Sequence, residues 1–174
     1  EGTRDMDLEA LRSLQAPLKA RYRDDPGSAR LTLKAEGTLG AEGLTCRVAA
    51  PGGPVEAGLH PATGGDGLKA CSGNILLEAL VACAGVTLCA VASALELPLR
   101  GGTVAAEGDL DFRGTLALDK EVPVGFQEIR LHFNLDLDAS EGQLETLKKL
   151  TERYCVVAQS LKSLPRLTLS RTPR

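Results

Sequence analysis

The stretch CSGNILLEALVACAGVTLCAVASAL, residues 71–95, holds a single charged side chain, Glu78. Apolar residues occupy nearly every angle around it, so no polar face is left for water. A helix of this composition has to be buried on most sides. Whatever else the chain forms must therefore wrap this segment. The stretch also carries Cys71, Cys83 and Cys89, three of the five cysteines. A buried cysteine serves as a small hydrophobe, a metal ligand, half of a disulfide or a nucleophile.

Several of these uses can be weighed from composition. At 174 residues the chain reads as one domain with a small extension, large enough to bury a core without disulfide staples. An odd cysteine count in a chain of this size fits free thiols in a reducing, cytoplasmic setting. No C-x-x-C occurs and no Cys/His pair has zinc-ligand spacing, so no metal is expected. The net charge of −3 is spread along the chain, and tryptophan is absent. Neither nucleic-acid nor membrane binding is supported. Glu78 interrupts the longest apolar run, so no membrane span is expected. The opening EGTRDMDLEALRS has no signal-peptide pattern.

The remaining elements follow from periodicity. Leu8, Leu11, Leu14, Leu18 and Tyr22 recur at helical spacing over 7–22, with Pro17 expected to kink the helix. ARLTLKAE, residues 29–36, alternates as a half-buried strand, and LTCRVAA alternates again, with Leu44, Cys46 and Val48 inward and Arg47 outward. A Gly/Pro-rich passage over 51–74 contains His60 and a short strand near Val55–Leu59. It lacks the G-x-G-x-x-G and Walker patterns. The central helix over about 72–95 follows, with Ser72 or Asn74 as its cap. Pro98 and Gly101-Gly102 end that segment. TVAAEGDLDF and QEIRLHFNLDL form an antiparallel pair, with His132 on the polar face. Ser140 and Gln143 make a capping box. Its helix is expected to run to Leu161 and to bury Leu144, Leu147, Leu150, Tyr154, Val157 and Leu161. Pro165 and a closing strand RLTLS complete an α+β order with an N-terminal helical extension (1–28) ahead of the main domain (29–174).

Two long apolar helices thus each carry a cysteine, Cys83 and Cys155, which the fold can bring together if the helices pack. Both also suit a core as small apolar residues.

SGNILLEALVACAGVTL together with LTERYCVVAQSL resembles the OsmC/Ohr family of peroxide-reducing thiol proteins. The resemblance covers roughly residues 29–170. It implies an OsmC-like fold, antiparallel sheets around a long buried central helix, in an intertwined homodimer. It implies a thiol-dependent peroxidase that reduces organic hydroperoxides. Cys83 would attack the peroxide and become a sulfenic acid. Cys155 would resolve it as a disulfide, and an external dithiol, lipoyl-type or similar, would reduce that disulfide. No cofactor is implied.

A reactive thiol needs its pKa lowered from about 8.5. A mid-helix position in apolar surroundings works against this, so a nearby cation is required. The family supplies an arginine steadied by a carboxylate near the start of the central helix. Asn74 occupies the carboxylate position here, and Glu78 lies one turn further on. Arg47 is the favoured arginine, with Arg30 and Arg153 as rivals, and His60 is a further activating or orienting group. Cys89 reads as packing and Cys71 has no assigned role. The competing reading is a non-catalytic OsmC-like dimer that binds a small apolar ligand at its interface, with the cysteines as packing residues.

Overall fold

A computed structural model of the chain describes residues 8–40 and 43–171. The expected helical start at Asp7 lies outside them, as do the chain ends. The chain divides into two compact units, residues 1–35 and 36–174. The first unit contains helix α1 (Leu8–Asp24), which continues through Pro17, and a 3₁₀ turn at Pro26–Ala29. Asp25 caps that turn by accepting from the Gly27 N–H at 3.0 Å.

The half-buried strand expected over residues 29–36 does not form. The chain leaves the 3₁₀ turn without pairing, and Leu31 and Leu33 are 82% and 84% exposed. Alternation marks a segment able to lie on a sheet. It supplies neither the partner strand nor the ladder bonds that make one. The first strand comes later, at Gly37–Leu39.

The second unit holds two sheets. The first joins β1 (Gly37–Leu39), β2 (Cys46–Val48), β3 (Val55–Gly58) and β4 (Ala70–Cys71) in sequence order. Its first two pairings are antiparallel and the last is parallel. Cys46 is only half-buried, and Leu44, expected inward beside it, is 78% exposed. β4 leads directly into helix α2 (Ser72–Ala94). Cys71 holds the N-cap position without a side-chain bond, so neither Ser72 nor Asn74 caps the helix.

The second sheet contains β5 (Leu99–Asp109), β6 (Glu128–Leu137) and β7 (Arg166–Arg171). β5 and β6 run antiparallel, as their alternation indicated, while β7 runs parallel to β6. Gly101 and Gly102 lie inside β5 and do not merely end the preceding helix. The register slips between Leu99 and Gly101. Gly102 has φ +156°, and a Cβ there would fall 2.6 Å from the Asn134 carbonyl oxygen. Glycine is needed where the strands approach this closely. A short helix α3 (Phe112–Thr115) sits in the β5–β6 connection.

The capping box forms as the sequence indicates. Ser140 Oγ accepts from the Gln143 N–H at 3.3 Å, and Gln143 Oε1 accepts from the Ser140 N–H at 2.9 Å. The helix it starts, α4 (Glu141–Tyr154), stops seven residues earlier than its hydrophobic pattern suggested. Cys155 is extended, with ψ 103°, and a separate short helix α5 (Val156–Ser160) follows. The buried stripe is also rotated. Leu144, Leu147, Thr151, Cys155 and Ala158 are inside, while Tyr154 is 58% exposed.

α2 packs against β5, α4 and α5. Its Leu80, Ala84, Leu88, Val91 and Ala92 join Leu131, Phe133, Leu135 and Leu147 in one core. By length and composition α2 could cross a membrane despite Glu78. Within one chain only this side is buried. Ala79, Ala82, Val86 and Cys89 lie on the outer side, with Val86 73% exposed. The all-round burial implied by the sequence is therefore half achieved by this chain.

Leu80 is fully buried. Leu80→Ala should destabilise the fold by about 2–5 kcal/mol, from lost burial and the cavity left behind. Denaturant unfolding checks this, and a change below about 1 kcal/mol would contradict the packing described.

Candidate active site

Cys83 lies halfway along α2, half-buried, on the side turned toward α4 and α5. Cys155 is 1% exposed at the joint between those two helices. The two side chains are close enough for each to act on the other's ionisation. The fold thus brings together the pair that the sequence left as two separate positions.

The joint itself has a physical cause. The α4 ladder ends with the Cys155 N–H donating to the Thr151 carbonyl at 3.0 Å. The next rung would run from the Val156 N–H to the Glu152 carbonyl. That carbonyl instead accepts from the side-chain amide of Gln159 at 2.8 Å. Val156 and Val157 are β-branched and gain little from helical conformation. The backbone at Val156 and Val157 lies close enough to Cys83 to favour its thiolate. One turn along α2, the Thr87 side chain acts in the same direction.

The electrostatics follow from this arrangement. Burial opposes ionisation of Cys83. The Val157 N–H, the Cys155 thiol, the Thr87 hydroxyl and the Val156 N–H together outweigh it. They hold the Cys83 thiol below its ordinary pKa. This is stabilisation of a charged form by donors to it, without a formal cation. Cys155 is displaced the other way. Burial pushes its thiol up, and the Cys83 side chain adds to this, against N–H groups of Ala158 and Val157. Ala84, Leu131, Pro165 and Leu167 line the apolar recess beside it. One thiol is therefore favoured as thiolate and its neighbour as thiol. A low-pKa thiolate next to a second thiol is the arrangement that peroxide attack and disulfide closure require.

The expected activating groups lie elsewhere in the single chain. Arg47 is exposed at the middle of β2, in register with Thr38 and Glu56, and forms no salt bridge among the described residues. Glu78 and Asn74 are exposed near the start of α2. His60 caps the 3₁₀ turn Pro61–Thr63: its Nδ1 accepts from the Ala62 N–H at 3.0 Å. Its ring stacks on Phe112 at 5.1 Å. Arg153 lies over the Tyr154 ring, and Arg30 is exposed. None of these is among the groups acting on Cys83 within one chain. Cys89 is exposed and Cys71 half-buried. Among the described residues, no three of His, Cys, Asp and Glu are grouped to hold a metal.

Sequence reasoning missed Thr87 and the two amides. Thr87 had a legible signal, since a residue four positions on shares the cysteine's helix face. The amides had none, because the break at Cys155 leaves no periodic trace.

The fold and this pair of thiols define an α+β protein with a two-cysteine centre between its central helix and a broken helix. A family model described as OsmC-like protein matches residues 65–170, and the chain belongs to that family. An OsmC-like protein from Mycoplasma pneumoniae superposes with a TM-score of 0.66 at 14% identity, covering 82% of this chain and 99% of that one. An organic hydroperoxide resistance protein OsmC from Legionella pneumophila gives 0.61 at 16% identity, covering 82% and 98%. The organic hydroperoxide resistance protein OhrB of Bacillus subtilis gives 0.56 at 15% identity, again covering 82% and 98%. At these identities the likeness is one of fold. No curated protein matches the chain.

The opposed shifts predict different pH profiles for the two thiols. Alkylation of Cys83, followed by peptide mass spectrometry, should rise and level off at lower pH than that of Cys155. Thr87→Val should slow Cys83 alkylation at pH 7 by about tenfold, the effect of losing one hydrogen bond to a charged group. Identical profiles for the two cysteines would contradict the assignment.

Proposed function

We propose that the protein is a thiol-dependent peroxidase that reduces organic hydroperoxides. The observation that carries this is the proximity of Cys83, held below its ordinary pKa, to Cys155, held above it. Family membership and the fold shared with organic hydroperoxide resistance proteins support the same reading.

The Cys83 thiolate attacks the terminal oxygen of the hydroperoxide. The O–O bond breaks, the sulfur takes the hydroxyl as sulfenic acid, and the alkoxide leaves and is protonated to the alcohol. Cys83 then carries no negative charge, so its opposition to ionisation of Cys155 is removed. Burial still resists that ionisation, but the Ala158 and Val157 N–H groups favour it. The Cys155 sulfur displaces hydroxide from the sulfenic acid, water is released with the thiol proton, and a Cys83–Cys155 disulfide forms. An external dithiol, lipoyl-type or similar, returns both thiols by exchange and is itself oxidised to a disulfide.

The working unit in this proposal is a homodimer. The outer face of α2 is apolar surface that a second copy would cover. Arg47, with no salt bridge among the described residues, is the cation assigned to the completed site, with Glu78 and Asn74 near the α2 start. The competing reading, an apolar-ligand carrier, rests on the same exposed wall of α2. It requires a Cys83 no more reactive than a free cysteine.

Cys83→Ser should reduce peroxide consumption to background. Cys155→Ser should consume about one equivalent per site and then stall with a dithiol reductant. Both are read by peroxide assay under single- and multiple-turnover conditions. Equal sustained activity in the two variants would sink the mechanism, and no consumption by the intact protein would leave the carrier reading.

A further inference from the structure

A groove of about 430 Å³ lies between the start of α2, the end of the β5–β6 connection and the α5–β7 connection. Its apolar walls are Leu76, Phe126, Ile129, Leu161 and Leu164. Leu76 and Leu164 are 38% and 61% exposed, and the other three are half-buried. The Phe126 ring is seated over two glycines. A Cβ on Gly108 would fall 2.6 Å from the ring, and one on Gly73 would fall 3.4 Å from its Cζ. Side chains at either position would crowd the ring, so glycine there leaves the wall its place. A concave, mostly apolar site of several hundred Å³ with a few polar groups is the form that small-molecule sites take.

The charged side chains along the groove are Lys162, Arg166 and Glu128. Arg166 meets Glu128 at 3.2 Å, but Glu128 is shared with Arg130 at 3.4 Å. Lys162 is exposed and forms no salt bridge among the described residues. Two cations therefore border the groove, and its one carboxylate is already divided between arginines. A neutral apolar ligand would leave Lys162 unused, and a cationic one would be repelled by it. A peptide strand would press its own N–H and C=O groups against apolar walls, at a cost for each left unpaired. A single alkyl chain with an anionic end matches both walls and rim. Leu164 also lines the apolar recess beside Cys155, so the groove adjoins the thiol pair.

We propose that this groove binds a single-chain amphiphile with an anionic head, a long-chain carboxylate, with Lys162 at the head and Leu76, Phe126 and Leu164 against the chain. No thiol takes part in the binding, so the proposal stands or falls separately from the peroxidase reading.

The test compares decanoate, decanol and decyltrimethylammonium, which share one chain and differ in the head. Their binding to the full-length protein is followed by titration calorimetry below micelle-forming concentrations. Decanoate should bind about two- to fivefold more tightly than decanol, the range for one exposed ion pair. The cationic amphiphile should bind most weakly. Octanoate should bind more weakly than decanoate, by about fourfold for each buried methylene lost. Lys162→Met should abolish the preference for decanoate and leave decanol unchanged. Leu164→Ser, at an exposed position, should weaken both, and Leu76→Ser replaces it where thermal unfolding shows a lost fold. Cys83→Ser should bind decanoate as the intact protein does. Equal affinity for decanoate and decanol, or a decanoate preference that survives Lys162→Met, would overturn the proposal. A Leu164→Ser variant with altered mass in sedimentation velocity and intact decanoate binding would also overturn it, and would assign the groove to contact between copies.

Discussion

The meeting of Cys83, on α2, with Cys155, at the joint between α4 and α5, sets the chemistry of the site. The rest of the site depends on that contact. A cysteine in the middle of an apolar helix is the wrong place for a thiolate, because burial disfavours the charge. Moving the thiol outward would expose it to stray oxidants. This chain leaves Cys83 half-buried, and the groups that favour its thiolate come from Thr87 and from the segment around Cys155. That segment is where α4 ends and α5 begins, so one local defect places both those groups and the second thiol.

The architecture around the defect serves to hold α2 in place. Its Leu80, Ala84 and Leu88 side locks into the β5–β6–β7 sheet and α4, fixing the angle at which Cys83 emerges. Its outer side, with Ala79, Ala82 and Val86, lies open in one chain. Such a face is costly to leave in water, at about 25 cal/mol for each Å² of apolar surface. This is the physical reason for assigning the working form to two copies. Buried cysteines and an apolar helix are ordinary core features taken singly. Their opposed ionisation tendencies at one contact are what a passive core does not need.

Much of this was legible in the sequence, and what was missed has common causes. The central helix, the β5–β6 pair, the Ser140–Gln143 capping box and the meeting of Cys83 with Cys155 follow from periodicity, cap chemistry and motif resemblance. The segment 29–36 was misread because alternation reports a suitable face, not a partner strand. The second helix was read as continuous to Leu161 because its apolar residues keep their spacing across the break. Only a side chain reaching from Gln159 to Glu152 reveals the interruption. The activating groups expected for Cys83 were Arg47 as cation, Glu78 as its supporting carboxylate and His60, because side chains are visible in a sequence. The donors found within the chain are largely backbone, which every residue carries and no sequence pattern marks.

The most direct measurement is to treat the fully reduced protein with one equivalent of cumene hydroperoxide and map disulfides by peptide mass spectrometry. The account predicts rapid, near-stoichiometric formation of a Cys83–Cys155 bridge, with Cys46, Cys71 and Cys89 remaining reduced. Oxidation scattered over Cys71 and Cys89, or a protein left fully reduced, would contradict it.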